Sequence, residues 1–185
     1  MIAEVQAAHP EERVEVWFED EARFGQQGTL THVWAIGGSR PVAPKQVGYA
    51  NVQVMTAVCP ATGRAEGLIT HKLDAAVTQL FLDQLSATIP EGVHALLVWD
   101  GAGWHTAGSL VAPKNVTLLR LPPYSPELNV VERLWRHLRQ RHWSNRVYAG
   151  IKDLEEAAVC GWRAVCLDPE TVKSVCRCDY ARTGR

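Results

Sequence analysis

Residues 94–100, His94-Ala-Leu-Leu-Val-Trp-Asp100, form a nearly continuous apolar run that ends in an acid. A short run of this kind is typical of a central strand that is buried on both faces of a sheet. On a period of two, Asp100 shares a face with Leu96 and Val98. Because an isolated buried carboxylate is costly, the pattern predicts that Asp100 is paired or bound to a cation.

The segments around this run complete an α/β pattern. The predicted strands are residues 13–18, 32–36, 51–59, 64–70, 94–99 and 116–121. The predicted helices begin at Asp74, near His105, at Ser125, near Ile151 and near Glu170. An antiparallel meander that leads into strands alternating with helices predicts a mixed β-sheet flanked by helices on both faces. We interpret residues 1–185 as a single domain.

Two further acids stand at the edges of predicted elements. Asp20 ends the first predicted strand, where it shares a face with Val16 and Phe18. Glu132 lies about two turns into the helix that starts at Ser125-Pro126, with Ser125 as the N-cap. That helix is predicted to run to about His142 and to bury a stripe formed by Leu128, Val131, Trp135 and Leu138.

Each acid also has an ordinary explanation. Asp20 could belong to a solvated strand end, and Asp100 could form a turn before Gly101. Glu132 could pair with Arg136 across one helical turn. Taken together, two strand-end acids and one helical acid form a compact set of oxygen ligands suited to Mg²⁺, or to Mn²⁺ in its place. A pair of such ions would explain three acids, since one ion activates a nucleophile and the other stabilises a leaving oxygen.

Charge is unevenly distributed along the chain. The formal net charge is -1, which alone argues against a nucleic-acid binder. However, residues 1–100 carry 6 Lys/Arg and 12 Asp/Glu, whereas residues 101–185 carry 13 and 8. The basic excess is sharpest in an acid-free series comprising Arg133, Arg136, Arg139, Arg141 and Arg146. Such a cluster is either a footprint for a phosphate backbone or a solvated helix face.

Hydropathy and cysteine content restrict the class of protein further. No apolar run approaches the roughly 20 residues of a membrane span, and no signal peptide is recognisable, so we expect a cytoplasmic protein. The five cysteines are odd in number and lack a Cys-x-x-Cys pair, which favours reduced thiols over disulfides or a zinc site.

Three blocks of sequence resemble the catalytic domain of DDE transposases in the Tc/mariner superfamily, particularly its bacterial insertion-sequence branch. The first is Phe18-Glu-Asp-Glu-Ala-Arg-Phe24, and the second is Val98-Trp-Asp-Gly-Ala-Gly-Trp-His105. The third and most specific is Leu121-Pro-Pro-Tyr-Ser-Pro-Glu-Leu-Asn-Val-Val-Glu-Arg-Leu-Trp135. The similarity extends from about Val14 to about Arg163.

The resemblance implies an RNase H-like fold and a DNA transposase. It makes Asp20, Asp100 and Glu132 the catalytic, metal-binding acids of a two-metal mechanism. The implied reactions are endonucleolytic cleavage of DNA at element ends and joining of the 3′-OH ends to target DNA, as in transposition, DNA integration and recombination. The implied partners are element-end and target DNA, with a homodimer as the expected active form.

The chain departs from the family pattern in two respects. Val130 stands where the family usually has Pro after the Asn of the third block. The family's N-terminal helix-turn-helix region is also missing from this sequence. We therefore expect recognition of specific ends to depend on that region, for example on an upstream helix-turn-helix polypeptide.

Several other residues are candidates for supporting roles. His105 is either an auxiliary residue at the scissile phosphate or the cap of a short helix. Tyr124 and Trp104 are candidate DNA contacts, although a Trp is more commonly a core residue. Phosphate contacts are also predicted for the arginines of the Glu132 helix, namely Arg133, Arg136 and Arg139.

Three alternative functions share some of these features. An RNase H-like nuclease would use the same acids without strand transfer. An inactive or co-opted remnant would bind DNA or a partner without catalysis, although retention of all three acids argues against it. A glycosidase needs only two carboxylates, so it would leave the third acid and the arginine-rich helix unexplained.

Overall fold

The structure is a computed structural model that describes residues 2–101 and 110–181. Its strands are β1 (Arg13–Gly25), β2 (Asn51–Cys59), β3 (Arg64–Thr70), β4 (Val93–Trp99) and β5 (Val116–Arg120). Its helices are α1 (Ile2–Ala8), α2 (Ala75–Thr88), α3 (Val131–Leu138), α4 (Ile151–Cys166) and α5 (Pro169–Val175). A 3₁₀ turn at Pro126–Leu128 precedes α3, and a π-helical turn at Arg139–Trp143 follows it.

The strands form a mixed sheet in the order β3-β2-β1-β4-β5. β1, β2 and β3 are joined antiparallel, as expected for a meander. β4 lies parallel to β1, and β5 lies parallel to β4, as expected for strands connected through helices. The long β1 therefore pairs with β2 on one side and with β4 on the other.

Helices cover both faces of this sheet, which confirms the predicted architecture. On one face, Trp17, Met55 and Leu97 pack with Phe81 and Leu85 of α2. On the other face, strand residues pack with α1, α3, α4 and α5, and the central members of this larger core are Val14, Val16, Phe18, Val54, Leu96, Leu134, Trp135 and Leu154. The alternation of β1 between the two cores places Val14, Val16 and Phe18 on the same face, as predicted.

Two predicted elements differ in the structure. The strand predicted at residues 32–36 is absent from the described chain, where this stretch is loop and Trp34 and Ile36 are exposed. In this loop Thr31 exchanges hydrogen bonds with the side chain of Asn145 and not with a strand of the sheet. The short helix predicted near His105 lies outside the described residues.

The helix predicted from Ser125 to His142 is shorter and starts later. Ser125 makes no side-chain cap hydrogen bond, and only one 3₁₀ turn follows it before extended backbone at Asn129. As a result Leu128 is 36% exposed, and Leu134 occupies the buried stripe instead. At the other end, the wider π turn brings Trp143 against Phe24, with the ring centroids 4.7 Å apart. Among the described residues, no helix is both long and apolar enough to span a membrane.

Candidate active site

The first two acids are brought together by the register of parallel strands. Phe18 of β1 pairs with Val98 of β4, and this is the last pair between the two strands. Asp20 and Asp100 each follow that pair by two residues on neighbouring strands. Because parallel strands run in the same direction, the two residues lie at the same level of neighbouring strands. Asp100 lies just beyond the end of β4, but Asp20 lies inside β1, which continues to Gly25, so the prediction that Asp20 ends its strand is wrong.

The third acid is positioned by hydrogen bonds that connect α3 to β1. Asn129 is buried, and its Nδ2 donates to the Glu19 carbonyl oxygen at 2.8 Å. Its Oδ1 accepts from the Val131 backbone N–H at 3.1 Å and so stabilises the first turn of α3. Glu132 follows Val131 in the chain, so it is held close to β1, the strand that carries Asp20.

A hydrogen bond from α3 also orients Asp20 directly. The indole Nε1 of Trp135 donates to Asp20 Oδ2 at 2.9 Å. Trp135 itself is only 1% exposed, so its ring provides a rigid donor. One oxygen of Asp20 is therefore fixed by the helix that carries Glu132.

All three acids line one cavity of about 430 Å³. Asp20 is half-buried, whereas Asp100 and Glu132 are exposed at the rim. Asp100 was predicted to face the buried side, but it lies beyond the end of β4 and reaches solvent. Within residues 2–101 and 110–181, Glu132 and Arg136 form no ion pair, so the ordinary explanation for Glu132 is not supported.

The cavity has a strongly unfavourable electrostatic environment for a carboxylate. Burial raises the pKa of Asp20 from its ordinary 3.8 to about 7, the hydrogen bond from Trp135 opposes that rise, and the charge of Glu132 adds to it. Glu19 is the neighbour of Asp20 on β1, and burial raises its pKa well above its usual range. The charges of Glu21 and Asp20 raise this pKa further. A bound cation would relieve this repulsion.

Arg120 and Asn129 line the cavity but were not identified as site residues from the sequence. Arg120 ends β5, and its Nη2 donates to the Gly101 carbonyl oxygen at 3.2 Å. A Cβ atom at Gly101 would lie 2.5 Å from that Nη2, so glycine leaves room for the guanidinium. The signal for Arg120 in the sequence was a basic residue at the end of the strand that follows the one leading to Asp100.

The predicted DNA-contacting residues occupy different positions. Tyr124 lines the cavity and is fully exposed, with a positive φ of 59°. Arg133 donates to the Arg177 carbonyl oxygen at 2.5 Å, Arg136 is exposed and Arg139 is half-buried. These three arginines lie outside the cavity, so phosphate contacts from them stay a prediction. Trp104 and His105 lie outside the described residues.

Comparisons with known proteins agree with this geometry. The profile of the DDE superfamily endonuclease family matches residues 15–155. The uncharacterized protein y4pE/y4sA of Sinorhizobium fredii (strain NBRC 101917 / NGR234) is 35% identical over 122 residues, which are 66% of this chain and 90% of that protein.

Solved structures with a similar fold are complexes of Mos1. The Mos1 mariner paired end complex with Mn has a TM-score of 0.66 at 14% identity, over 95% of this chain and 56% of that chain. The Mos1 strand transfer complex has a TM-score of 0.60 at 12% identity, over 95% of this chain and 53% of that one. The chain thus spans about half the length of the Mos1 chains.

The mixed sheet, with one acid on β1, one just after β4 and one on α3, has an RNase H-like fold. The chain belongs to the DDE superfamily of endonucleases, whose profile covers most of its length. The RNase H-like fold and the DDE superfamily implied by the three sequence blocks are therefore confirmed, and the chain is an endonuclease-type enzyme.

Proposed function

We propose that this chain is the catalytic domain of a DNA transposase that cleaves element ends and joins their 3′-OH groups to target DNA. The observation that carries the proposal is the shared cavity of Asp20, Asp100 and Glu132 in a chain of the DDE superfamily. We place the chain in the Tc/mariner group, in its bacterial insertion-sequence branch. Its similarity in fold to the Mos1 paired end and strand transfer complexes supports this activity.

The donor set fits hard divalent cations. Three carboxylates surround an open cavity, and one of them, Asp20, has a pKa raised to about 7 by burial and then by neighbouring charge. Oxygen-only ligands of this kind suit Mg²⁺ or Mn²⁺, and we propose two ions. When bound, such ions supply the positive charge that activates an attacking oxygen and stabilises the departing 3′-oxygen of a phosphodiester.

The residues of the chain have distinct roles in this proposal. Asp20, Asp100 and Glu132 hold the ions, and Trp135 fixes the orientation of one Asp20 oxygen. Asn129 keeps α3 in place against β1. Arg120 stands at the rim of the cavity, where its guanidinium can contact a phosphate of bound DNA.

The DNA duplex would extend beyond the cavity onto neighbouring surfaces. Tyr124 is exposed at the rim and is suited to a contact with the sugar–phosphate backbone. The helical arginines Arg133, Arg136 and Arg139 are proposed as more distant phosphate contacts. We further propose that two copies pair two ends, and that a helix-turn-helix region supplies recognition of specific end sequences. Trp104 and His105 remain proposed as an additional DNA contact and an auxiliary active-site residue.

The proposal is tested by nicking of supercoiled plasmid and by joining of a labelled 3′-OH duplex to that plasmid, each with Mg²⁺ and Mn²⁺. We expect both reactions to need the metal and to fall at least about a hundredfold in Asp20→Asn, Asp100→Asn and Glu132→Gln. Glu127→Gln is the matched control, because Glu127 is an exposed acid of the same sequence block that does not line the cavity.

The alternatives give different results in the same assay. Metal-dependent nicking without joining would favour the RNase H-like nuclease. DNA binding without either reaction would favour the inactive or co-opted remnant. Nicking that is equal in the wild type and the three acid variants would overturn the assignment of the site.

A further inference from the structure

A second group of metal-ligating side chains lies far from the acidic cavity along the same strands. His9 follows α1, Glu12 precedes β1, and His94 is the second residue of β4. Their ligand atoms all lie within 4.8 Å of one another. Asp100 follows the last residue of β4, so this cluster and the cavity stand at opposite ends of that strand.

The distances within the cluster match those of a tetrahedral metal site. Glu12 Oε2 lies 3.1 Å from His94 Nδ1 and 3.4 Å from His9 Nδ1. A tetrahedral zinc ion with bonds of about 2.0–2.2 Å holds neighbouring ligand atoms roughly 3.3–3.5 Å apart. The carboxylate oxygen is thus already at nearly the separation from each imidazole nitrogen that one ion requires, and all three ligand atoms lie within 4.8 Å of one another.

The surroundings of His94 are also those of a metal ligand. Its side chain is buried, and its Nε2 lies 2.8 Å from the Thr117 hydroxyl oxygen. A metal-bound histidine commonly donates its other ring N–H to an oxygen, which fixes the tautomer. With Thr117 Oγ1 accepting from Nε2, the Nδ1 lone pair of His94 is directed at Glu12, and the His9 ring lies over the face of the His94 ring.

We propose that His9 Nδ1, Glu12 Oε2 and His94 Nδ1 bind a divalent transition-metal ion of the zinc type, with water as the fourth ligand. The ion fastens α1 to the sheet, against which this helix otherwise packs the buried Val5 and the partly buried Ile2. The His9 and His94 rings are stacked with centroids 3.5 Å apart and planes tilted by 25°, so metal binding requires the half-buried His9 ring to rotate out of this stack and direct its Nδ1 lone pair at the ion. Without a metal, Glu12 would instead accept hydrogen bonds from the two imidazoles.

The test uses Co²⁺ as a spectroscopic substitute for Zn²⁺ on the full chain. Excess Mg²⁺ is added to occupy the carboxylates of the cavity, because Mg²⁺ prefers oxygen ligands to imidazole. Tetrahedral Co²⁺ with nitrogen ligands absorbs visible light strongly, whereas octahedral Co²⁺ with oxygen ligands absorbs weakly. We expect one equivalent of strongly absorbing Co²⁺, its displacement by Zn²⁺, and a rise in Tm with either ion.

Two variants and one control decide the assignment. His9→Ala, at a half-buried surface position, is expected to lose the visible band and the metal-dependent rise in Tm. Glu12→Gln keeps the side-chain size and is expected to weaken Co²⁺ binding by more than about tenfold. His71→Ala is the control, because His71 Nε2 lies 2.5 Å from Glu155 Oε1 in an exposed pair outside the cluster.

The control is expected to keep both signals. Circular dichroism of the metal-free variants shows whether they are folded. A wild-type chain without the strong band would overturn the proposal, as would a band that survives in folded His9→Ala or an unchanged Co²⁺ affinity in folded Glu12→Gln. Because Mg²⁺ fills the cavity throughout, these results do not depend on whether the transposase assignment is correct.

Discussion

At the scale of single residues, the site depends on the balance of charge around Asp20. This carboxyl is half-buried, and burial is the largest cause that raises its pKa to about 7. The hydrogen bond from Trp135 opposes the rise, and the charge of Glu132 adds to it. The ionised form of a carboxyl with such a pKa is unfavourable in the metal-free protein and would become favourable when a cation is bound. Ionised Asp20 therefore lowers the stability of the metal-free fold, and a bound cation would offset this loss.

This cost predicts how Asp20→Asn changes stability with pH. Because the pKa of Asp20 is higher in the folded chain, about 7, than its ordinary 3.8, folded protein binds the proton more tightly. Ionisation therefore lowers the stability of the wild type progressively as pH rises from about 4 to about 7. Asp20→Asn removes this loss. The free energy of unfolding of the variant should therefore exceed that of the wild type least at pH 4 and by up to roughly 3 kcal/mol at pH 8.

Urea unfolding of metal-free protein at pH 4 and pH 8 measures this difference. Asp83→Asn is the control, because Asp83 is exposed on α2 and lies outside the cavity. Its effect should be small and similar at both pH values. A gain for Asp20→Asn that is equal at pH 4 and pH 8 would mean that Asp20 is not destabilised by its surroundings.

The bond from Trp135 gives a second prediction. Trp135→Phe keeps an aromatic ring but removes the Nε1 donor, which holds down the pKa of Asp20. Protons then compete more strongly with metal, and Mn²⁺ affinity at pH 7 should fall by roughly tenfold and recover at higher pH. Trp143→Phe is the control, since its Nε1 donates to the Ala157 carbonyl oxygen instead. Equal Mn²⁺ affinity at pH 7 in Trp135→Phe and the wild type would contradict this role.

Sequence patterns could predict the acids but not the residues that support them. The period-two alternation of β1 is local, so the face of Asp20 could be derived from neighbouring residues, whereas Asp100 lies beyond the end of β4 and does not follow the alternation of that strand. The Trp135–Asp20 bond joins residues 115 positions apart and depends on how α3 packs on the sheet. Arg120 likewise reaches the cavity only because β5 lies next to β4.

At the scale of elements, the start of α3 decides where Glu132 lies. The Ser125-Pro126 pair predicts a helix start, but the structure has one 3₁₀ turn and then extended backbone at Asn129. The side chain of Asn129 bonds both β1 and the backbone of Val131, so tertiary contacts override the local signal. The other helices predicted in the described chain and five of the six predicted strands depend on local periodicity, and they were found.

Asn129→Ala tests this connection between elements. The variant loses two buried hydrogen bonds, to Glu19 and Val131, and should be less stable by about 1–3 kcal/mol in urea unfolding. It should also weaken Mn²⁺ binding, because α3 is no longer tied to β1. Asn115→Ala is matched to it, since Asn115 makes two side-chain hydrogen bonds to Ser86 away from the cavity.

The two asparagine variants should therefore separate stability from metal binding. Asn115→Ala is expected to lose comparable stability without any change in Mn²⁺ affinity. Equal Mn²⁺ affinity in Asn129→Ala and Asn115→Ala would show that Asn129 has only a structural role.

At the scale of the whole molecule, the uneven charge of the sequence follows the fold. The acid-rich first hundred residues form β1 to β4 and contribute Asp20 and Asp100, while the basic remainder forms β5 and the helices after it. A net charge of -1 thus conceals a core in which acids collect at the cavity and arginines lie on nearby elements. Net charge alone does not indicate the class of substrate, and the phosphate contacts that the distribution of charge suggests stay a prediction.

The central claim is that Asp20, Asp100 and Glu132 bind divalent metal together. Calorimetric titration of Mn²⁺ at pH 8 tests it most directly, with wild type, Asp100→Asn and the control Glu127→Gln measured in a His9→Ala background. We predict saturable binding in the wild-type cavity, unchanged in Glu127→Gln and weakened by more than about tenfold in Asp100→Asn. Absence of binding with the wild-type cavity, or equal affinity in Asp100→Asn, would contradict it.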